Sequence, residues 1–315
     1  MFRSILVPLD GSSFGEQALP LALSIARDSG ATLRLMQVHE LVNSYYTGLP
    51  MRSETLEERL RQYEKALRQH EKAYIENVAS RLREASPVKV STIFEEGYVA
   101  AQIMHHAVEA KVDLVVMTTH GRGALARFWL GSTADELVRE LPMPVLLVHP
   151  KDNAVDFRED VKLKNVLVPL DGSPLAEQIL EPAIALAKLS NAGITLMRVI
   201  PPLLPTSVPV GMGDVAVHIA EDIDGLQKLL EQEAFAYMEK VAQNLRTDKL
   251  TVKTQVVIAD QLGVGILNEA QEIGSDLIAL ETHGRSGLTR FFLGSVADKV
   301  LRGSTVPVLI HRPKH

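Results

Sequence analysis

The chain contains no cysteine, which excludes disulfide bonds and zinc sites built from thiolates. It also lacks an excess of positive charge, because 33 lysines and arginines stand against 39 aspartates and glutamates, a formal net charge of −6. This balance argues against a general nucleic-acid surface and against an anionic membrane as partner. No apolar run in the sequence approaches the roughly 20 residues that cross a bilayer. We therefore expect a cytoplasmic protein without a signal peptide.

What the chain does have is an ordinary globular composition over 315 residues, with 46% apolar and 23% charged residues. These proportions lie close to the average for folded domains, so disorder and coiled coils are poor starting hypotheses. At roughly 100–200 residues per domain, the length predicts either two domains or one large α/β barrel.

An internal repeat decides between these two possibilities. The segment Leu6–Ser12, with the sequence LVPLDGS, recurs as Leu167–Ser173, and Thr119–Arg122, with the sequence THGR, recurs as Thr282–Arg285. A period near 160 residues is the size of a whole domain and not of a solenoid repeat. The sequence therefore predicts two copies of one domain. Their expected bounds are residues 1–150 and 164–315, with a polar, charge-rich linker at 151–163.

Each copy alternates apolar, strand-like runs with helix-like periods, which is typical of a parallel sheet covered by helices. The expected fold class is therefore α/β, with two repeated doubly wound domains. In the longest helix, an apolar stripe that includes Tyr63 and Tyr74 is predicted to face the sheet. The first copy is predicted to have strands at 5–9, 32–38, 88–94, 113–118 and 145–148, and helices at about 12–29, 56–84, 99–109 and 132–140.

Two chemical signals lie where predicted strands end, at the edge where open α/β sheets bind ligands. Asp10 leaves the first strand there, and it either contacts a ligand or only caps the following turn. After the fourth strand, a loop with Gly121 is followed by Gly131, Ser132 and Thr133 at the start of a helix. Free backbone N–H groups and the positive end of the helix dipole favour the binding of an anion there. The alternative is that the glycines only form turns and that the serine only caps the helix. Neither a Walker A motif nor a Rossmann fingerprint is present.

Together these residues resemble the universal stress protein family, in tandem form, along nearly the whole chain. The matching residues are Val-Pro-Leu-Asp-Gly-Ser near the start of each copy, His-Gly-Arg followed by Gly-Ser, and a final Pro-Val-Leu strand. The resemblance implies a five-stranded parallel sheet of order 3-2-1-4-5 in each domain. It also implies pairing of the two domains through strand five as an internal pseudo-dimer, with a homodimer as a further option.

The resemblance further implies ATP, with Mg²⁺, as the ligand, and a sensor or regulatory role in the stress response. In the first copy the implied adenine and ribose contacts are Pro8, Leu9, Asp10, Val38 and Met117, and the implied phosphate contacts are Thr118, Gly121, Arg122, Gly131, Ser132 and Thr133. The corresponding residues of the second copy are Pro169, Leu170, Asp171, Val199, Leu280, Gly284, Arg285, Gly294, Ser295 and Val296.

The first glycine of the family's phosphate motif is replaced in both copies, by Thr118 and by Glu281. The repulsion between a carboxylate and a phosphate charge about 4 Å apart amounts to about 4 kcal/mol at an effective dielectric constant of about 20. We therefore expect ATP mainly in the first domain and a degraded site in the second.

Two other functions stay open. The replaced glycines favour an interaction module that binds no nucleotide. A slow ATPase rests on analogy of fold alone. No catalytic residue and no dedicated metal ligand is identified, so the expected protein is not an enzyme.

Overall fold

The computed structural model describes residues 2–40, 54–119, 130–150, 154–203, 213–246, 250–282 and 293–312, with the backbone alone at 54–57 and 213–221. The chain forms two compact units, Met1–Lys162 and Leu163–His315. They are called unit 1 and unit 2 below. Within the described ranges, no helix is long and apolar enough to cross a membrane.

Unit 1 is a parallel sheet with helices packed against it. Its strands lie in the order β3-β2-β1-β4-β5. The central strand, β1, carries Ile5, Leu6 and Val7 with no exposed surface, as expected of a parallel strand covered on both faces. The described elements of unit 1 are β1 Ser4–Pro8, α1 Leu19–Ser29, β2 Thr32–His39, α2 Glu54–Ala85, β3 Val90–Glu96, α3 Val99–Glu109, β4 Leu114–Thr118, α4 Ser132–Glu140 and β5 Val145–Val148.

Unit 2 repeats this arrangement, with strand order β8-β7-β6-β9-β10. The predicted α/β class and the 3-2-1-4-5 order are thus confirmed inside each unit. The pairing of the two domains through strand five stays a prediction. The described elements of unit 2 are β6 Asn165–Pro169, α5 Leu180–Ser190, β7 Gly193–Ile200, α6 Gly213–Leu245, β8 Val252–Ile258, α7 Leu262–Glu272, β9 Leu277–Glu281, α8 Ser295–Gly303 and β10 Val308–His311.

An aspartate anchors the first strand of each unit. Oδ2 of Asp113, just before β4, accepts hydrogen bonds from the backbone N–H groups of Arg3 (2.7 Å) and Ser4 (2.9 Å). In unit 2, Asp276 does the same for the N–H groups of residues 164 and 165, at 2.7 and 2.9 Å. A charged acceptor makes these bonds stronger than neutral ones. Both aspartates lie at the amino ends of the strands, opposite the carboxyl ends where open α/β sheets bind ligands.

The first helix starts later than predicted. The chain forms a 3₁₀ turn, Gly15–Ala18, before α1 begins. The reason is local: Asp10 and Ser12 hold the chain after β1 in a hydrogen-bonded turn, which delays the regular helix. The predicted stop is confirmed, since Gly30 ends α1 in the left-handed region with φ of +72°.

The predicted apolar stripe of the long helix is correct only for its C-terminal half. Val78 and Leu82 are fully buried, whereas Tyr63 is 59% exposed. A helix of 32 residues is about 48 Å long, and an eight-residue strand such as β2 is about 26 Å long. The sheet can therefore cover only part of α2. The matching residue of α6, Leu226, is 54% exposed for the same reason.

Part of the predicted linker, 151–163, packs on unit 1. Phe157 is buried, and the guanidinium of Arg81 lies 4.6 Å from its ring centroid. Asp160 forms an ion pair with Arg27 at 3.1 Å. One of the charges that mark this segment as a linker, Asp160, thus helps to attach it to unit 1.

Candidate functional site

A cavity of about 620 Å³ opens at the carboxyl edge of the unit 1 sheet. Its size falls within the range of about 300–1,000 Å³ that is usual for small-molecule sites. The ends of β1, β2 and β4, the start of α4 and side chains of α2 and α3 line it. Gly121 and Arg122 lie outside the described residues. Nine of the predicted contacts line the cavity: Pro8, Leu9, Asp10, Val38, Met117, Thr118, Gly131, Ser132 and Thr133.

The turn after β1 places Asp10 in the cavity wall. Its Oδ1 accepts hydrogen bonds from the N–H (3.0 Å) and the hydroxyl (2.6 Å) of Ser12. The Ser12 oxygen in turn accepts the N–H of Gly15 at 3.0 Å. A Cβ on Gly15 would come within 2.6 Å of Asp10 Oδ1, so glycine lets the turn close on the carboxylate. Asp10 therefore shapes the turn and also lines the cavity.

The N-terminus of α4 points its free donors at the same cavity. Its N-cap is Gly131, which provides no side chain to cap the helix. The first backbone N–H groups of a helix lack intrahelical partners, and residues Gly131 to Ala134 all line the cavity. Together with the helix dipole, these donors make this end of the cavity suited to an anion.

Another part of the cavity wall is apolar. Met36 and Val38 from β2, Val99 and Ile103 from α3, and Met117 from β4 form it. Such side chains provide the kind of wall against which a flat aromatic ring packs. The cavity therefore combines an apolar wall with an anion-binding end.

Sequence reasoning missed three polar residues of the cavity lining. Gln37, Glu40 and Glu71 line the cavity, and no described lysine, arginine or histidine does. Nδ1 of the buried His39 lies 2.7 Å from Oε2 of Glu71. One signal was readable in the sequence, because Glu71 lies on the same helix face as Leu67 and interrupts the apolar stripe.

The second copy places its matching residues on the corresponding edge of unit 2. Asp171 repeats the turn, since its Oδ1 accepts the N–H of Ser173 at 2.8 Å. Gly284 and Arg285 lie outside the described residues. The others lie at the ends of β6, β7 and β9 and at the start of α8: Pro169, Leu170, Val199, Leu280, Gly294, Ser295 and Val296.

Glu281 differs from the fully charged, repelling carboxylate that the sequence analysis assumed. It is buried at the end of β9, its Oε1 lies 2.8 Å from Nδ1 of His311, and its Oε2 has no hydrogen-bond partner. Burial raises the pKa of Glu281 to about 7, although the hydrogen bond to His311 opposes this rise. Less of this carboxyl group is therefore ionised at neutral pH than of an ordinary glutamate, and its repulsion of an anion is correspondingly smaller.

The glycines before α4 and α8 have a structural reason that does not involve a ligand. The N–H of Gly294 donates to the carbonyl of Thr282 at 2.9 Å, and a Cβ on Gly294 would meet that oxygen at the same 2.9 Å. In unit 1, the N–H of Gly131 donates to the carbonyl of Thr119 at 2.8 Å. Replacing these glycines would disturb the backbone as well as any bound phosphate.

Comparison with known proteins assigns the chain to a family. The model of the universal stress protein family matches it twice, at residues 1–149 and 162–312. The chain belongs to the universal stress protein family. As a tandem universal stress protein it carries one family domain in each unit.

Two relatives match along nearly the whole chain. A universal stress protein from Mycolicibacterium smegmatis is 28% identical over 98% of this chain and 97% of its own length. One from Synechocystis is 26% identical over 98% of this chain and its own full length. One from Mycobacterium tuberculosis is 30% identical, but the match spans 64% of this chain and only 62% of that relative.

Solved structures of similar length share the fold. A universal stress protein from Archaeoglobus fulgidus superposes with a TM-score of 0.61 at 18% identity, covering 98% of this chain and 96% of that chain. A Pseudomonas aeruginosa protein of unknown function gives a TM-score of 0.63 at 18% identity, and the match covers 99% of this chain and 93% of that chain. At this level of identity the likeness concerns the fold alone.

Proposed function

We propose that unit 1 binds an adenine nucleotide, ATP with Mg²⁺, and that this binding gives a cytoplasmic protein a sensor or regulatory role in the stress response. The observation that carries the proposal is the cavity of about 620 Å³, which gathers nine of the predicted contacts at one sheet edge. An apolar wall suits the adenine ring, and the N-terminus of α4 suits the phosphates.

The charges of the cavity favour one direction for the nucleotide. Asp10, Glu40 and Glu71 line the cavity, and each would repel a phosphate. The phosphates therefore lie against the first turn of α4, at Gly131 and Ser132. The base lies toward β2, where Val38 offers backbone groups to its edge.

Mg²⁺ would be held by the nucleotide and not by a protein cage. The described residues contain no group of three or more histidine, aspartate or glutamate side chains that could hold a metal ion. Mg²⁺ commonly keeps several waters and binds through substrate phosphates. This chain would contribute the neighbouring hydroxyl groups of Ser132 and Thr133.

Unit 2 is the weaker nucleotide site in this proposal. Val296 replaces Thr133 and removes one hydroxyl from the helix N-terminus. Glu281 replaces Thr118 and brings a partly ionised carboxyl group to the end of β9. Both changes lower the affinity of this edge for phosphate.

The variants Ser132→Asp and Ser295→Asp form a matched pair that tests the proposal. Aspartate is favourable in the first turn of a helix, so both variants are expected to fold. In Ser132→Asp the new carboxylate faces the phosphates, and we expect ATP affinity to fall at least tenfold in calorimetric titration. Ser295→Asp is expected to leave ATP affinity within twofold of the unchanged protein.

Adenosine provides the control, because it lacks the phosphates. Its affinity is expected to be the same in the unchanged protein and in Ser132→Asp. Equal losses of ATP binding in both variants would contradict the preference for unit 1, and an unchanged affinity in Ser132→Asp would contradict the phosphate position.

A nucleotide-free interaction module is the second candidate, and the acidic lining of the cavity is the observation that favours it. Three carboxylates and no described basic side chain line the cavity. If the purified full chain shows no heat of binding with millimolar ATP and Mg²⁺, the second candidate replaces the first.

A further inference from the structure

The part of the unit 1 cavity that faces α2 is a compartment rich in hydrogen-bond acceptors. Asp10, Gln37 and Glu71 line it, and they are called the α2 compartment below. Gln37 and His39 lie two residues apart and so share one face of β2. His39 contacts Glu71 at 2.7 Å, which places this face of the strand against α2.

Gln37 is the unsatisfied member of the compartment. The residue is 2% exposed, and its Oε1 has no hydrogen-bond partner. A buried acceptor without a donor is unfavourable. A ligand N–H group that reaches this oxygen would supply the missing donor.

Unit 2 shows what fills the same place in the other copy. Pro8 pairs with Met36 across β1 and β2, and Pro169 pairs with Met197 across β6 and β7. The residue after each methionine is Gln37 in unit 1 and Arg198 in unit 2. Unit 2 therefore carries a guanidinium group where unit 1 carries a neutral amide.

The guanidinium of Arg198 lies over the ring of Tyr237, 5.5 Å from its centroid. Tyr237 occupies the position of Tyr74 in unit 1. Unit 2 also replaces Glu71 by the buried Ala234. Unit 2 thus pairs its arginine with an alanine at the glutamate position, whereas in unit 1 the glutamate contacts His39, and no lysine or arginine is among the described residues that line the cavity.

We propose that the α2 compartment of unit 1 binds a small organic cation, an alkyl guanidinium or alkyl ammonium ion. Its N–H groups donate to Oε1 of Gln37 and to the carboxylate of Glu71, and Asp10 adds a second negative charge. The ligand's head group takes the place that Arg198 takes in unit 2. This proposal is independent of nucleotide binding.

The direct test compares two probes of nearly equal shape on the nucleotide-free full chain. Butylguanidine carries the cation, and butylurea replaces one NH₂ group of that cation by a neutral oxygen. In calorimetric titrations at low salt, we expect one butylguanidine to bind per chain and butylurea to bind at least tenfold more weakly. Equal affinities, or no butylguanidine binding at millimolar concentration, would overturn the proposal.

Three variants locate the site. Gln37→Arg copies unit 2 into unit 1 and is expected to weaken butylguanidine binding at least tenfold, because the new side chain occupies the compartment. Glu71→Gln keeps the shape of the side chain but removes its charge, and it is expected to give a similar loss of butylguanidine affinity. Arg198→Gln is the matched control in unit 2 and is expected to leave the affinity and the stoichiometry unchanged.

Circular dichroism checks that the variants fold, and the comparison of the two probes on the unchanged protein does not depend on them. If both unit 1 variants fold and bind butylguanidine with the original affinity, the α2 compartment is not the site. All these titrations omit ATP, so the absence of nucleotide binding would leave their outcome unaffected.

Discussion

Glu281 is expected to make the stability of unit 2 depend on pH. Its folded-state pKa is about 7, against 4.5 for an ordinary glutamate, because the carboxyl group is buried. Between these two values the unfolded chain has lost the proton and the folded chain still holds it. The unfolding free energy therefore falls as pH rises from about 4.5 to about 7, and the titration of Glu281 changes it no further above pH 7. The difference in pKa corresponds to about 3 kcal/mol.

The substitution Glu281→Gln removes this titration. We expect the unfolding free energy of the variant, relative to that of the unchanged protein, to rise by about 3 kcal/mol between pH 4.5 and pH 8. Urea unfolding at a series of pH values measures the difference, and Glu233→Gln, at an exposed position of α6, serves as the control. Parallel curves for Glu281→Gln and the unchanged protein would refute the reasoning, because burial would then not hold the proton on this carboxyl group.

Three further substitutions test packing and hydrogen bonding in unit 2. Gly294→Ala is expected to lower stability by about 1–3 kcal/mol in thermal unfolding, because the new Cβ meets a backbone oxygen at 2.9 Å. Gly225→Ala, which has open space around it, is expected to stabilise α6 by about 0.5–1 kcal/mol, and a loss there as large as at Gly294 would contradict this account. Tyr237→Phe removes a 2.7 Å hydrogen bond to Glu177 and is expected to cost about 1 kcal/mol in urea unfolding; no change in the midpoint would show that water replaces the bond.

The fold was largely predictable, because it rests on patterns that are local in the sequence. Buried runs such as Ile5–Val7 and the stop at Gly30 mark elements whose type depends on nearby residues. The start of the first helix was not predictable, since the hydrogen bonds of Asp10 compete with helix formation there. The burial of Tyr63 was mispredicted, because helical periodicity does not reveal how far the sheet extends beneath a helix.

The site was predictable where it follows strand ends and helix starts, as at Asp10 and Ser132. The α2 compartment was not predictable from motifs. Gln37 and Glu71 come from different elements, and only the folded chain brings them to one cavity. The state of Glu281 was missed for the same reason, since its partner His311 lies 30 residues away along the chain.

The turn after the first strand has a consequence for how family membership relates to activity. Asp10 and Asp171 make the same backbone contact in both copies, whereas Gln37 and Arg198 beside them differ. After a duplication, a cavity residue that also holds a turn, such as Asp10, is needed by both copies in order to fold, whereas a cavity residue without that role, such as Gln37, is free to diverge. Two proteins with an identical signature can thus bind different molecules, and the differences between the two halves of one chain point to its chemistry better than the motif they share.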